Sequence, residues 1–213
     1  RNALDAARSR FYHGDHNGGG FSRYDLKAET WSRLPEGGNT AMTGVLEFFP
    51  ELDALVNLGR GSDGVWLFEE KNQTWRNLGP VEVHGHHSLG RYNPLRNEVL
   101  LVGGNESPRT VIRLRADGEL ERLADAPADL TIRHDKLAAD PVTGGYLILQ
   151  TEPETRRLWR FDSARNAYKL LDDFQETPWP FRRYEMPVAA AVPEHGVLLW
   201  MAQRVLLYKP PEE

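Results

Sequence analysis

Apolar residues in this chain fall into runs of four or five, separated by short polar stretches. The best-defined example is Val99-Leu100-Leu101-Val102, preceded by the turn Asn93-Pro94-Leu95 and followed by Gly103-Gly104. Similar runs recur from end to end, rich in β-branched, leucine and aromatic residues. Their length and composition suit strands better than helices.

The runs repeat in order. Phe11-Tyr12-His13-Gly14 leads to Phe21-Ser22-Arg23-Tyr24 and then to Thr30-Trp31-Ser32-Arg33-Leu34. A shift of 44 positions gives Leu55-Val56-Asn57-Leu58, Val65-Trp66-Leu67-Phe68 and Thr74-Trp75-Arg76-Asn77-Leu78, without a gap from Arg10 to Trp31 against Ala54 to Trp75. A third copy has Val99 to Val102, Val111 to Leu114 and Leu120 to Leu123. A fourth has Tyr146 to Leu149, Leu158 to Phe161 and Tyr168 to Leu171. A fifth has Val197 to Trp200 and Val205 to Tyr208, then stops. A further strand and a turn precede most copies, with Pro50, Pro94, Pro141 and Pro193 in the turns; proline presets φ there, and Asn93 and Asp140 support a turn through their side chains. Asp5 holds the same place in copy one, where the leading strand is poorly marked.

One module is therefore four strands, a to d, joined by short turns. A repeat of forty-odd residues with four antiparallel strands is the pattern of a β-propeller blade. A single blade cannot bury both its faces, whereas stacking around an axis buries both, as the nearly continuous apolar strands b and c require. A β-sandwich is the competing architecture, but it needs no internal repeat. The expectation is an all-β protein, a β-propeller of four-stranded antiparallel blades. It has about five modules, at roughly 1–34, 41–78, 86–123, 133–171 and 185–210, with the first and last incomplete. All of 1–213 forms a single propeller domain or fragment.

The pattern resembles the kelch-repeat and galactose-oxidase-type propellers. That family has a glycine doublet after strand b, an aromatic residue on strand c and a tryptophan on strand d about seven residues later. Gly103-Gly104 supplies the doublet once; Tyr24 with Trp31, Phe68 with Trp75, and Phe161 with Tyr168 follow the aromatic spacing. The resemblance implies a scaffold whose loops bind a partner. It does not carry over the copper-radical oxidase chemistry, which needs a tyrosine cross-linked to cysteine, because the chain has no cysteine. Trp31 and Trp75 are expected to pack between blades.

Composition narrows the function classes. Of 213 residues, 27 % are charged and the formal net charge is −5, which disfavours nucleic acid and anionic membrane surfaces as partners. No apolar run approaches the ~18 residues of a membrane-spanning helix. The absence of cysteine excludes disulfides and thiolate chemistry. The chain begins at Arg1, so further upstream sequence is expected, with a lean towards an exported protein.

Strand alternation puts the d–a and b–c loops on one face. The longer d–a links, 35–43, 79–87, 124–134 and 172–186, make that face the functional candidate, because binding residues concentrate on loops of a rigid scaffold. Aligned blades place His87 and His134 together where strand a begins, with His86 and Arg133 before them and Asp135 after His134. The 172–186 link adds Trp179, Arg182, Arg183 and Tyr184. An aromatic face beside paired arginines suits a glycan, a sugar acid or another anionic group. His87 and His134 equally suit a purely structural hydrogen-bonding role. His84-Gly85-His86-His87 resembles a metal cluster, but adjacent side chains of an extended segment cannot all converge on one ion, so no metal and no cofactor is expected. The favoured function is a non-catalytic binding scaffold for a glycan or protein partner at the d–a loop face. The alternative is a carbohydrate-active enzyme with mutarotase-like acid–base chemistry from His87, His134, Asp135 and Glu185.

Overall fold

The computed structural model describes residues 2–15, 20–38, 44–59, 64–83, 86–132, 135–151, 156–173, 188–201 and 205–210. They form five antiparallel sheets in chain order, a five-bladed β-propeller. Blade one has β1 (Asn2–Asp5), β2 (Arg10–Gly14), β3 (Phe21–Asp25) and β4 (Thr30–Arg33). Blade two has β5 (Leu46–Phe49), β6 (Ala54–Leu58), β7 (Val65–Glu69) and β8 (Thr74–Gly79). Blade three has β9 (Leu89–Asn93), β10 (Glu98–Val102), β11 (Val111–Arg115) and β12 (Leu120–Arg122). Blade four has β13 (Asp135–Ala139), β14 (Tyr146–Gln150), β15 (Arg157–Asp162) and β16 (Ala167–Asp173). Blade five has β17 (Val188–Val192), β18 (Val197–Met201) and β19 (Val205–Tyr208). In every blade the strands pair in sequence order, and consecutive inner strands β1, β5, β9, β13 and β17 are neighbours around one axis.

The first blade departs from expectation. It has all four strands, because Asn2–Asp5 pairs with Arg10–His13 as the inner strand. Only Ala3 and Asp5 of β1 are buried, so its apolar signal is too thin to stand out in the sequence.

Burial explains the apolar runs. Every residue of β6, β10 and β14 is buried. Successive residues of a strand point to opposite faces, so each second strand serves two seams. In β10, Val99 and Leu101 pack towards blade two, against Val56 and Leu67. Leu100 and Val102 pack towards blade four, against Tyr146 and Phe161. The seam between blades one and two holds Tyr12, Phe21, Phe48, Leu55 and Phe68 with Trp75 on top. The seam between four and five holds Leu147, Leu149 and Leu158 against Leu198 and Trp200.

Ionic contacts reinforce two seams. Glu70, at the end of blade two's third strand, accepts from Arg10 at 2.6 Å, Arg23 at 3.0 Å and the buried Tyr12 hydroxyl at 2.9 Å. In blade three, Arg113 reaches Glu98 at 3.4 Å, Glu121 at 2.6 Å and the Ser163 carbonyl of blade four at 3.1 Å.

The a–b turns follow the residue that ends strand a. Asp5, Asn93 and Asp140 are buried, and their side chains accept the backbone N–H of Arg8, Leu95 and Val142 at 3.1, 3.1 and 2.9 Å. These are Asx-type turns. Where the position is Phe49 or Val192, a 3-10 turn (Pro50–Leu52, Pro193–His195) replaces them. At Gly90 on β9, a Cβ would lie 2.1 Å from Val45 Cγ1, so glycine allows neighbouring inner strands to approach closely.

Candidate functional site

The inner strands line a half-open cavity of about 380 Å³, to which residues of all five blades contribute. It sits at the leading ends of these strands: Asn2, Val45, Ser88, Lys136 and Val188 each fall at or beside a strand start. That end of the axis is where the d–a loops open. Most of the wall is aliphatic, with Leu46, Leu89, Leu137 and Ala189 among its members.

Three charged side chains enter this apolar wall. Glu47 and Arg91 occupy equivalent places on β5 and β9, three residues before Pro50 and Pro94, with 3.6 Å between Oε1 and Nη1. The Tyr92 N–H also donates to Glu47 Oε2 at 3.4 Å. Burial nevertheless dominates and holds the Glu47 carboxyl above the usual carboxylate range, with Arg91 and the Tyr92 N–H opposing. Arg91 Nε is buried and has no hydrogen-bond partner. The buried Lys136 donates to the Ile132 carbonyl at 2.8 Å. These three residues were missed by sequence reasoning. The available signal was a charged residue on the first strand of a blade.

Of the residues expected to form the site, His86 and His87 are described. Both are half-buried, with ring centroids 3.9 Å apart, edge to face. His87 Nδ1 lies 2.9 Å from Asn105 Oδ1, an amide oxygen that can only accept, so the ring nitrogen is the donor there. The His86 carbonyl accepts from Asn105 N at 3.1 Å, and the His87 carbonyl accepts from Ile132 N at 2.9 Å. Ile132 and Ser88 both line the cavity, so His87 is joined to its wall on two sides. Gly104 N donates to Leu130 O at 2.9 Å, and a Cβ on Gly103 would lie 2.2 Å from that oxygen. The glycine doublet thus allows the b–c bend of blade three to approach the d–a loop that enters blade four. Arg133, His134, Trp179, Arg182, Arg183 and Tyr184 lie outside the described residues. So does the Asp135 side chain, although its backbone opens β13 opposite Gln150.

Backbone geometry singles out His87. Ser9, Asp53 and Asn97 adopt positive φ just before strand b, and Glu29, Gln73 and Asn166 do so just before strand d. These are turn positions that recur from blade to blade. His87, at φ 63°, is the one positive-φ non-glycine residue outside those two series among the described residues. Such a conformation costs of order 1 kcal/mol and persists where the surroundings hold it.

Among the described residues no group of three His, Asp or Glu side chains could hold a metal ion. None of the described helices is long and apolar enough to cross a membrane.

The fold and this cavity define the class: a five-bladed β-propeller with an axial pocket. No protein-family model matches the chain, and no curated protein matches it in sequence. Solved structures do match in fold. A streptogramin B lyase aligns over 99 % of this chain and 68 % of its own, with a TM-score of 0.63 and 13 % identity. An oligogalacturonate lyase in complex with manganese aligns over 99 % and 65 %, with a TM-score of 0.65 and 13 % identity. An auxiliary nutrient binding protein from Bacteroides thetaiotaomicron aligns over 98 % and 54 %, with a TM-score of 0.65 and 10 % identity. This chain therefore spans between about half and two thirds of the length of these propellers.

Proposed function

We propose that the protein is a binding scaffold that takes a small polar ligand, of sugar or sugar-acid size, at the d–a mouth of its channel. The observation that carries this reading is the cavity of about 380 Å³ with Glu47, Arg91 and Lys136 set in an aliphatic wall. Ligand sites are typically apolar hollows of about 300–1,000 Å³ with a few placed polar groups. His86 and His87 form part of the rim, and the strained backbone at His87 supports a role there. Arg133, His134, Asp135, Trp179, Arg182, Arg183 and Tyr184 belong to the proposed rim on sequence grounds, where an aromatic and paired arginines suit a carboxylate-bearing sugar. Similarity in fold to a nutrient-binding propeller is consistent with this reading. The kelch-type resemblance adds only the architecture, since propellers host many functions.

One observation favours catalysis as a second reading. A carboxyl held above its usual range inside a pocket is suited to act as a general acid–base, which a mutarotase-like reaction needs.

Titration calorimetry with neutral monosaccharides, disaccharides and uronic acids tests the first reading. The double substitution Glu47→Gln/Arg91→Met removes both charges at once, so neither is left unpaired. Uronate binding is expected to fall at least tenfold with little change in thermal midpoint. Binding that survives this change places the site elsewhere. Polarimetry on a freshly dissolved aldose then separates the readings: turnover abolished by Glu47→Gln alone is the outcome catalysis requires.

A further inference from the structure

The four seams between consecutive blades follow one rule. The row of residues facing the preceding blade packs on the opposite face of that blade. In blade two this row is Phe48, Leu55, Phe68 and Trp75, paired directly across the four strands and packed against blade one. In blade four it includes Tyr146, Phe161 and Tyr168. The matching row of blade one is Leu4, Phe11, Tyr24 and Trp31, in the same cross-strand register. It faces the side where blade five would close the ring. Leu4 is 57 % exposed and Trp31 58 %.

The other end of the series is equally bare. Blade five turns Leu198 and Trp200 towards blade four. Its opposite face carries Val188, Ala190, Leu199, Met201, Val205 and Leu207, with no charge among them. Val188, Val205 and Leu207 are 60 %, 67 % and 63 % exposed. Among the described residues, no buried apolar cluster joins blade five to blade one. In addition, β3, β7, β11 and β15 each pair with an outer fourth strand, whereas their counterpart β19 shows none among the described residues.

We propose that at least one further four-stranded blade of the same polypeptide stands between blade five and blade one. Its leading face covers Leu199, Val205 and Leu207, and its trailing face covers Leu4 and Trp31. A fourth strand on β19 completes blade five. The occupant is a blade because both bare faces repeat, residue for residue, faces that a blade covers elsewhere in the molecule. It belongs to the same polypeptide because consecutive sequence makes every other seam. Exposed apolar area on this scale is seldom left open on a soluble monomer.

The test uses Trp31→Glu with Leu207→Glu, in residues 1–213 alone and in the polypeptide extended by its native flanking sequence. Alone, the parent chain should bind a hydrophobic dye, and the double substitution should remove that binding while moving the thermal midpoint by less than about 3 °C. In the extended polypeptide the dye should not bind, and the same substitutions should lower the midpoint by more than about 6 °C. Three results would overturn the proposal. The first is an isolated 213-residue chain that binds no dye and loses its midpoint on substitution, which means that the ring closes on itself. The second is a stable dimer of that chain dispersed by Trp31→Glu, which makes a second copy the occupant. The third is an extended polypeptide that still binds dye and tolerates the substitutions.

Discussion

Trp31 and Trp75 are the same residue of the repeat, each preceded by threonine and each opposite an aromatic residue of the third strand. They have different surroundings. Trp75 packs at a tilt on Phe68 at 5.1 Å, meets Phe21 of blade one at 4.8 Å and donates its indole N–H to the Pro35 carbonyl at 3.1 Å. Trp31 packs at a tilt on Tyr24 at 5.0 Å and edge to face on Phe11 at 6.3 Å, both within its own blade. The expectation that both pack between blades holds for Trp75; Trp31 is exposed in this structure. The blade's internal pattern creates the aromatic row, and the neighbouring blade decides whether that row becomes a core.

The sharpest way to break the comparison is to truncate equivalent positions in the two rows. Phe68→Ala empties a fully buried site and should lower stability by about 3–5 kcal/mol. Tyr24→Ala at the equivalent place should cost about 1 kcal/mol. Urea midpoints of the two variants measure the difference, and equal losses would mean that the rows do not differ in burial. Next come the tryptophans. Trp75→Ala loses packing on two blades and a hydrogen bond, about 2–3 kcal/mol, whereas Trp31→Ala loses only contacts within its blade, about 1 kcal/mol. Thermal melts are sufficient to read this.

The seam under Trp75 also carries Glu70, which gathers Arg10, Arg23 and Tyr12 across the blade boundary. Glu70→Ala leaves these groups facing one another and should cost about 2 kcal/mol. Among the described residues, blade one has no such partner on its exposed row. The smallest effect concerns Glu47. Its carboxyl is held above the ordinary range, so the folded protein retains a proton that the unfolded chain releases. The associated stability is complete below the ordinary carboxylate pKa of about 4.3 and is lost as pH rises through the raised value. Glu47→Gln escapes that loss. Its urea midpoint should match the parent at about pH 4 and exceed it modestly at pH 8; a difference independent of pH would place Glu47 in ordinary solvent.

Much of the architecture was legible because the repeat is written in residue types with local consequences. Asn93 and Asp140 announced turns, the second and third strands announced seams through runs such as Val99 to Val102, and antiparallel order followed from short links. The inner strands were harder. Asn2–Asp5 is short and half polar, and in β9 Gly90 and Arg91 interrupt the apolar signal. The d–a end was legible as the end of the axis where the longer links gather, because loop lengths reveal it. The pocket itself was not. His87 was visible as a histidine near a strand start, but its positive φ and its link to Ile132 were not. Glu47 and Arg91 lie 44 residues apart, and a single blade's pattern gives no reason for them to meet.

By itself, the sequence determined most of the blade: which residues form its second and third strands, where it turns, and which aromatic residues line up across it. These are nearest-neighbour properties, set by φ preferences, Asx turns and side-chain alternation. Only the tertiary structure decided how blades face one another around an axis. That arrangement gathers five inner strands around one cavity and raises the Glu47 carboxyl by burial. It also covers Phe68 and Trp75 while leaving Tyr24 partly open and Trp31 exposed. Burial depends on what stands on the far side of a face, and no residue encodes that alone.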